Sequence, residues 1–261
     1  MKQAASNPQI AVPRVALFVT CLVDVMRPRI GFASIRALEA AGCEVVVPEA
    51  QTCCGQPALN SGDRATAEDL ARRAIAALEG YDHVVVPSGS CAATIRVHYP
   101  EILEGDAHWG PRARALAERT WEILAYLDEV RGWRPRGVAL AATATYHDSC
   151  SGLRELGIKR QPRRLLGAVE GLALKPLAGE EACCGFGGTF CVKYPAISNA
   201  IVAEKAAAIE ATGAELLIAG DLGCLLNMAG KLHRGGSAVR AFHTVELLAG
   251  MGDGPAIGEG Q

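Results

Sequence analysis

The chain contains two copies of one cysteine pattern, and this duplication constrains its fold more than any other feature. In each copy, a single cysteine is followed by an adjacent Cys-Cys pair and then by a fourth cysteine. Matching members are 129, 130 and 133 residues apart: Cys21 and Cys150, the pairs Cys53-Cys54 and Cys183-Cys184, and Cys91 and Cys224. Such near-constant offsets indicate an internal duplication. We therefore expect two similar halves, residues 14–131 and 137–250, with flexible tails at 1–13 and 251–261.

The remaining composition is that of a globular protein with a large core. Half of the 261 residues are apolar, and 26 basic residues nearly balance 28 acidic ones. This balance gives no support for a nucleic-acid partner. No stretch approaches the roughly 18–20 unbroken apolar residues of a membrane span, and the first eight residues lack the apolar core of a signal peptide. We expect a cytoplasmic protein, in which spaced cysteines favour metal binding or catalysis over disulfides.

Short apolar runs alternate with helical patterns along both halves. Strands are predicted near 15–20, 43–48, 83–86, 137–146, 172–174 and 215–220, and helices near 29–41, 66–79, 112–130, 161–169 and 198–212. This alternation predicts an α/β fold with mostly parallel sheets in two duplicated halves related by a pseudo-two-fold axis. Every cysteine of the repeated pattern follows a strand. Because ligands gather at the carboxyl ends of parallel strands, four thiols of each half are expected to meet there.

Four converging thiols can hold zinc or an iron–sulfur cluster. Adjacent cysteines diverge around a single tetrahedral zinc, whereas neighbouring thiolates can reach different irons of a cluster. The chain also lacks the C-x2-4-C knuckles of zinc ribbons. Iron–sulfur binding is therefore favoured, with zinc and a metal-free role as alternatives. The predicted metal ligands are Cys21, Cys53, Cys54, Cys91, Cys150, Cys183, Cys184 and Cys224. The glycines predicted to let the backbone approach a cofactor are Gly55, Gly185, Gly187 and Gly188.

Five segments resemble the cysteine-rich CCG-domain proteins and, among them, the lactate-utilisation protein A family. They are residues 53–57 (CCGQP), 146–150 (YHDSC), 153–158 (LRELGI), 183–190 (CCGFGGTF) and 220–226 (GDLGCLL). The resemblance implies a cytosolic electron-transfer subunit with two iron–sulfur clusters of [4Fe–4S] type. It also implies a ferredoxin-type iron–sulfur subunit and a third lactate-utilisation subunit as partners in oxidising L-lactate to pyruvate. Related alternatives are a catalytic subunit like that of heterodisulfide reductase and the iron–sulfur subunit of a glycolate or other 2-hydroxy-acid oxidase.

The sequence departs from the CCG pattern at one position of each half. Many CCG domains end in C-x-x-C, but Ser88 and Asp221 occupy the first position here. A fifth thiolate is missing, which leaves cubane and noncubane clusters open. Asp221 could supply an oxygen ligand or form a turn, and His147 could hydrogen-bond a cluster sulfur or cap a loop. Cys43 is expected to be a buried structural residue, and Cys191 either structural or an extra ligand. No dinucleotide or Walker-type phosphate motif is present.

Overall fold

Two halves of the same topology make up the computed structural model, which describes residues 12–259. The first half contains strands β1 (Arg14–Leu17), β2 (Glu44–Val46), β3 (His83–Val86) and β4 (Thr120–Glu122), and the second contains β5 (Ala139–His147), β6 (Glu170–Lys175), β7 (Leu216–Ala219) and β8 (Arg240–His243). Their orders are β2-β1-β3-β4 and β6-β5-β7-β8, and every pairing is parallel. The α/β class and the duplication are therefore confirmed.

Helices connect these strands in both halves. In the first half they are α1 (Cys21–Met26), α2 (Pro28–Ala40), α3 (Gln56–Asn60), α4 (Arg64–Leu78), α5 (Gly89–Ala93), α6 (Tyr99–Ile102), α7 (Trp109–Arg119) and α8 (Ile123–Ala125). In the second they are α9 (Cys150–Arg154), α10 (Arg160–Leu166), α11 (Phe190–Lys193), α12 (Pro195–Ala211), α13 (Leu222–Arg234) and α14 (Thr244–Leu248). Single π-helical turns span Thr94–His98 and Tyr126–Val130. Within residues 12–259, no helix is long and apolar enough to cross a membrane.

Strands β3 and β7, one in each sheet, are buried on both faces. Strand β7 is buried throughout, and Val84, Val85 and Val86 of β3 have no exposed surface. Parallel strands covered on both sides form continuous apolar runs in the sequence, which is why these two were predicted closely. Each buried valine or leucine contributes about 1.5–3 kcal/mol of transfer free energy. The sheets therefore form a rigid base for the loops at their carboxyl edges.

The predicted single helix over 112–130 is wrong. Helix α7 ends at Arg119, and Thr120–Glu122 then pair with β3 as an edge strand. The Glu122 side chain accepts hydrogen bonds from the amides of Leu124 and Ala125 and so begins the next helix. A three-residue strand is too short to show an alternating pattern, and its equivalent β8 was missed as well. Similarly, Asp63 caps α4 by accepting from the Thr66 amide, so this helix begins earlier than predicted.

The C-terminal segment also differs from its prediction as a flexible tail. Ala256 and Ile257 are buried, and the Ile257 amide donates to the Ala241 carbonyl at 2.9 Å. The Arg27 guanidinium donates to the Pro255 carbonyl at 2.8 Å. The glycine-rich composition of this segment predicts disorder, but its two apolar residues Ala256 and Ile257 are buried and hold it in place. Residues 1–11 of the predicted N-terminal tail lie outside the described residues, and so do residues 260 and 261.

The two halves are in close contact at their carboxyl edges. A Cβ atom on Gly89 of α5 would lie 3.0 Å from Cα of Gly152 in α9, so only glycine permits this approach. The ion pair between Arg27 of the first half and Glu246 of the second is almost fully buried, with a 2.9 Å separation. Because α5 carries Cys91 and α9 begins at Cys150, this contact brings the two cysteine sets near one another.

Candidate metal centres

The four thiols of the first half meet where three parallel strands end. Cys21 follows β1, the adjacent pair Cys53 and Cys54 follows β2, and Cys91 follows β3. Two close sulfur pairs result: Cys21 Sγ lies 3.8 Å from Cys53 Sγ, and Cys54 Sγ lies 3.2 Å from Cys91 Sγ. All four line a cavity of about 150 Å³. The first predicted ligand set is therefore brought together in space.

The second half repeats this arrangement after β5, β6 and β7. Cys150 hydrogen-bonds Cys183, and Cys184 hydrogen-bonds Cys224. These four thiols line a second cavity of about 130 Å³. The two cavities share wall residues, among them Gln56, Ser90, Phe186, Gly188 and Asp221. The candidate centres are therefore neighbours rather than isolated sites.

One cysteine of each adjacent pair has a lowered pKa. The pKa of Cys53 falls to about 2 because its sulfur accepts hydrogen bonds from the Cys21 thiol and the Gly55 amide. The pKa of Cys183 also falls to about 2, through Cys150, Cys184 and the amide of Gly185. Donation to Cys53 in turn raises the pKa of Cys21. Metal ligands must be deprotonated, so a sulfur that already carries negative charge is suited to bind a cationic centre.

Glycines after the adjacent cysteines make this geometry attainable. Gly55 and Gly185 have φ of 85° and 80°, a left-handed conformation that aims their amides back at Cys53 and Cys183. A Cβ atom on Gly185 would lie 2.8 Å from the Ser198 carbonyl oxygen. The predicted close-approach residues Gly187 and Gly188 also have positive φ and line the second cavity.

Asp221 acts as a helix cap in this structure. Its Oδ1 accepts from the Gly223 amide at 3.2 Å and so caps α13, while Oδ2 accepts from the Ser88 hydroxyl and the Ser90 amide. Ser88 in turn caps α5 by accepting from the Cys91 amide. The residues that replace the missing cysteines are therefore engaged with protein donors.

The two remaining cysteines lie apart from the eight-thiol arrangement. Cys43 is buried at the amino end of β2, with its sulfur 3.8 Å from the Tyr126 hydroxyl. The Cys191 thiol donates to the Gly188 carbonyl oxygen at 3.8 Å. Neither is among the residues that line the two thiol cavities. A larger cavity of about 600 Å³ lies at the opposite edge of the sheets, and its described lining includes four arginines and no cysteine.

His147 belongs to the second centre, which its position in the sequence only hinted at. A ring nitrogen and the sulfurs of Cys184 and Cys224 all lie within 4.8 Å of one another. The side chain is 1% exposed, and neither ring nitrogen has hydrogen-bond geometry to a group of the described chain. Burial lowers the pKa of His147 to about 3, so the imidazole is neutral at pH 7. The signal that could have found it is its place at the end of β5, three residues before Cys150.

Comparisons with known proteins agree with this arrangement. The sequence profile of the cysteine-rich domain called CCG matches residues 15–96 and 144–229, one match in each half. The chain is 46% identical to "Lactate utilization protein A" of Bacillus velezensis over 235 residues, 90% of this chain and 98% of that one. It is also 46% identical, over the same shares of the two chains, to the protein of the same name from Geobacillus kaustophilus.

A solved structure of a hypothetical protein from Helicobacter pylori shares the fold. It is 13% identical, with a TM-score of 0.67, over 95% of this chain and 50% of that one. At such identity the likeness concerns the fold alone. The two sequence matches are far more specific, because they cover both cysteine sets. The chain therefore belongs to the cysteine-rich CCG-domain family and, within it, to the family of lactate utilization protein A.

Proposed function

We propose that this chain is an electron-transfer subunit of a multi-component, cytoplasmic system that oxidises L-lactate to pyruvate, with an iron–sulfur cluster in each half. One observation carries the proposal: eight thiols gather as two four-sulfur sets at adjoining cavities. Lactate as the substrate is supported by the name, lactate utilization protein A, of relatives that are 44–46% identical over about 90% of the chain.

The donor sets fit [4Fe–4S] clusters. Cys21, Cys53, Cys54 and Cys91 would hold the first cluster, and Cys150, Cys183, Cys184 and Cys224 the second. Four-iron clusters are held by cysteine thiolates and supply one-electron redox chemistry when bound. The chain contributes the ionised sulfurs of Cys53 and Cys183 and the amides of Gly55 and Gly185 that stabilise them.

The space between the two sets suits electron transfer from one to the other. The ring of Phe186 lines both cavities and packs against Gly223, where a Cβ atom would lie 2.4 Å from ring atom Cε1. This packing places an aromatic side chain between the two sets. Both centres also lie at one edge of the molecule, because all six cysteine-bearing loops follow parallel strands. A partner bound at that edge could exchange electrons with either centre.

Lactate oxidation removes two electrons, and this requirement points to partners. The sequence has no dinucleotide-binding or phosphate-loop motif to hold a hydride acceptor. We therefore place hydride chemistry outside this chain and propose a ferredoxin-type iron–sulfur subunit and a third lactate-utilisation subunit as partners. The chain is then a component of an oxidoreductase rather than a complete enzyme.

The functional test is substrate-dependent reduction of the reconstituted complex. The anaerobically purified chain is combined with its two candidate partners and given L-lactate, D-lactate or glycolate, and the EPR signal of reduced clusters is followed. The proposal expects L-lactate to produce the signal and Cys184→Ser to diminish it. Reduction by glycolate but not by L-lactate would assign the chain to a different 2-hydroxy acid.

Zinc is a second candidate for the second centre because His147, Cys184 and Cys224 form a compact three-donor group. Cysteine and histidine together are common zinc ligands. Metal analysis of Cys54→Ser, in which only the second thiol set is intact, separates the candidates. Iron with acid-labile sulfide supports the cluster, whereas one zinc without sulfide supports the alternative.

A further inference from the structure

The two centres differ at a position that the duplication should have made equivalent. His147 precedes Cys150 by three residues, and Phe18 precedes Cys21 by three residues. Phe18 follows Leu17, the partner of Val85, and so lies opposite Val86, while His147 pairs with Ala219. Val86 and Ala219 are 133 residues apart, as are Cys91 and Cys224. Both are buried, at 0% and 1% exposure. The second centre thus has an imidazole within 4.8 Å of two of its sulfurs, whereas the equivalent residue of the first half has a hydrocarbon ring.

A second difference lies in the helix that follows each adjacent cysteine pair. The buried positions of α12 (198, 202, 205, 206 and 209) match those of α4 (67, 71, 74, 75 and 78) at a constant offset of 131 residues, so Lys205 corresponds to Ala74. Lys205 is 3% exposed, donates to the carbonyls of Gly179 and Glu180, and interacts electrostatically with the thiols of the second centre.

Ala74 is as deeply buried as Lys205 but carries no charge. The ammonium of Lys205 has carbonyl oxygens as its direct partners. A buried positive charge therefore acts on the second centre, and the equivalent place in the first half holds a methyl group.

The other charged groups near the centres do not cancel this difference. Asp148 is buried beside His147, but Arg163 binds both of its oxygens, at 2.8 and 2.9 Å. Asp221 lines both cavities and so acts on both centres. Glu155 also lines the second cavity, but its carboxylate is 29% exposed, so solvent screens its charge.

We propose that the second-half centre has the higher reduction potential and that His147 and Lys205 cause the difference, so that an electron entering the chain comes to rest there. The inference rests on the proposed function, because it assigns an order to two iron–sulfur centres. Reduction adds one negative charge to a cluster. A nearby positive charge stabilises that charge, and so does an N–H group directed at a sulfur. Both groups act on the second centre and have no counterpart at the first.

Single-centre variants make the order measurable. Cys54→Ser leaves the second-half centre intact, and Cys184→Ser leaves the first-half centre intact. Each is purified anaerobically and titrated with dithionite while EPR reports the reduced fraction against potential. The proposal expects the higher midpoint in Cys54→Ser. Adding His147→Phe, which copies Phe18, should lower that midpoint, and His147→Gln, which keeps an N–H donor, should restore part of the shift.

The lysine is tested in the same backgrounds. Lys205→Met should lower the midpoint of the second-half centre, and Lys205→Arg should retain it. Equal midpoints, a reversed order, or no shift in His147→Phe and Lys205→Met would overturn the inference while leaving two clusters in place. A chain that binds no iron would overturn the proposed function and this inference together.

Discussion

The hydroxyl of Ser88 donates a 3.1 Å hydrogen bond to Oδ2 of Asp221, and this bond joins the two halves between their cysteine sets. The two residues occupy equivalent places in the duplication, each three residues before the last cysteine of its set. Each caps the helix that carries that cysteine, α5 for Ser88 and α13 for Asp221. A shared polar contact thus stands where many relatives of the CCG type carry further thiols.

Replacing Asp221 should lower the free energy of unfolding and leave the metal content nearly unchanged. Asp221→Ala removes the cap of α13 and leaves the Ser88 hydroxyl and the Ser90 amide without their acceptor. A loss of about 1–3 kcal/mol in the free energy of unfolding is expected. Denaturant unfolding measures this loss, with Asp63→Ala, which removes the exposed cap of α4, as a matched control expected to cost less. If iron falls to half while stability is unchanged, Asp221 is a ligand and not a cap.

Gly185 should tolerate no side chain. Its φ of 80° disfavours other residues, and a Cβ atom would approach the Ser198 oxygen to 2.8 Å. Gly62 has nearly the same φ, 78°, but open space around it. Gly62→Ala should therefore show only the backbone cost of about 1 kcal/mol. Gly185→Ala should cost more and lose iron from the second half. Equal unfolding free energies and full iron in both variants would show that the close approach does not matter.

Glu122 should make stability fall as pH rises. It is 3% exposed, and burial raises its pKa from the usual 4.5 to about 8. Below pH 4.5 the carboxyl is protonated in both states, so its contribution is fully present. Between pH 4.5 and 8 the unfolded chain loses the proton while the folded chain keeps it, and stability falls by about 1.4 kcal/mol per pH unit.

Glu122→Gln removes this titration and keeps an oxygen to accept from the Leu124 and Ala125 amides. The stability of the variant relative to the parent chain should therefore increase from pH 5.5 to pH 8. Denaturant unfolding of both proteins at several pH values measures the difference. A difference that is constant across this range would mean that Glu122 has the same pKa in the folded and unfolded chain.

Cysteines outside the two sets should be dispensable for iron binding. Cys191→Ser and Cys43→Ser should each keep the full iron and sulfide content, because their sulfurs face a backbone carbonyl and a tyrosine hydroxyl. Cys43→Ser puts a hydroxyl in a buried position and should lower the unfolding midpoint. Anaerobic metal analysis of both variants checks the expectation, and iron loss in Cys191→Ser would add that residue to the second ligand set.

The sequence predicts which cysteines meet in space, because their spacing follows the duplication. Cysteines at near-constant offsets, each after an apolar strand, are enough to place four thiols at one edge of a parallel sheet. The two outer strands β4 and β8 escape prediction because they have three and four residues and lie beside helices. The ordered conformation of residues 251–259 is not predicted either. It depends on two buried side chains and on partners distant in sequence, such as Arg27.

The different surroundings of the two centres could not be predicted from the spacing of the cysteines. His147 and Lys205 matter because folding buries them beside Cys184 and Cys224, and burial is set by contacts between distant segments. The same holds for the capping role of Asp221. Its sequence position allows a ligand as well as a cap, and only the bond to Ser88 shows which donors it serves.

The most direct test of the central claim is a count of iron, acid-labile sulfide and zinc in the anaerobically purified chain, together with the same count for Cys54→Ser and Cys184→Ser. Two four-iron clusters predict about eight irons and about eight sulfides in the parent chain, with half of each in either variant. Zinc without sulfide, or a parent chain that holds neither metal, would contradict the claim that the duplicated thiol sets bind iron–sulfur clusters.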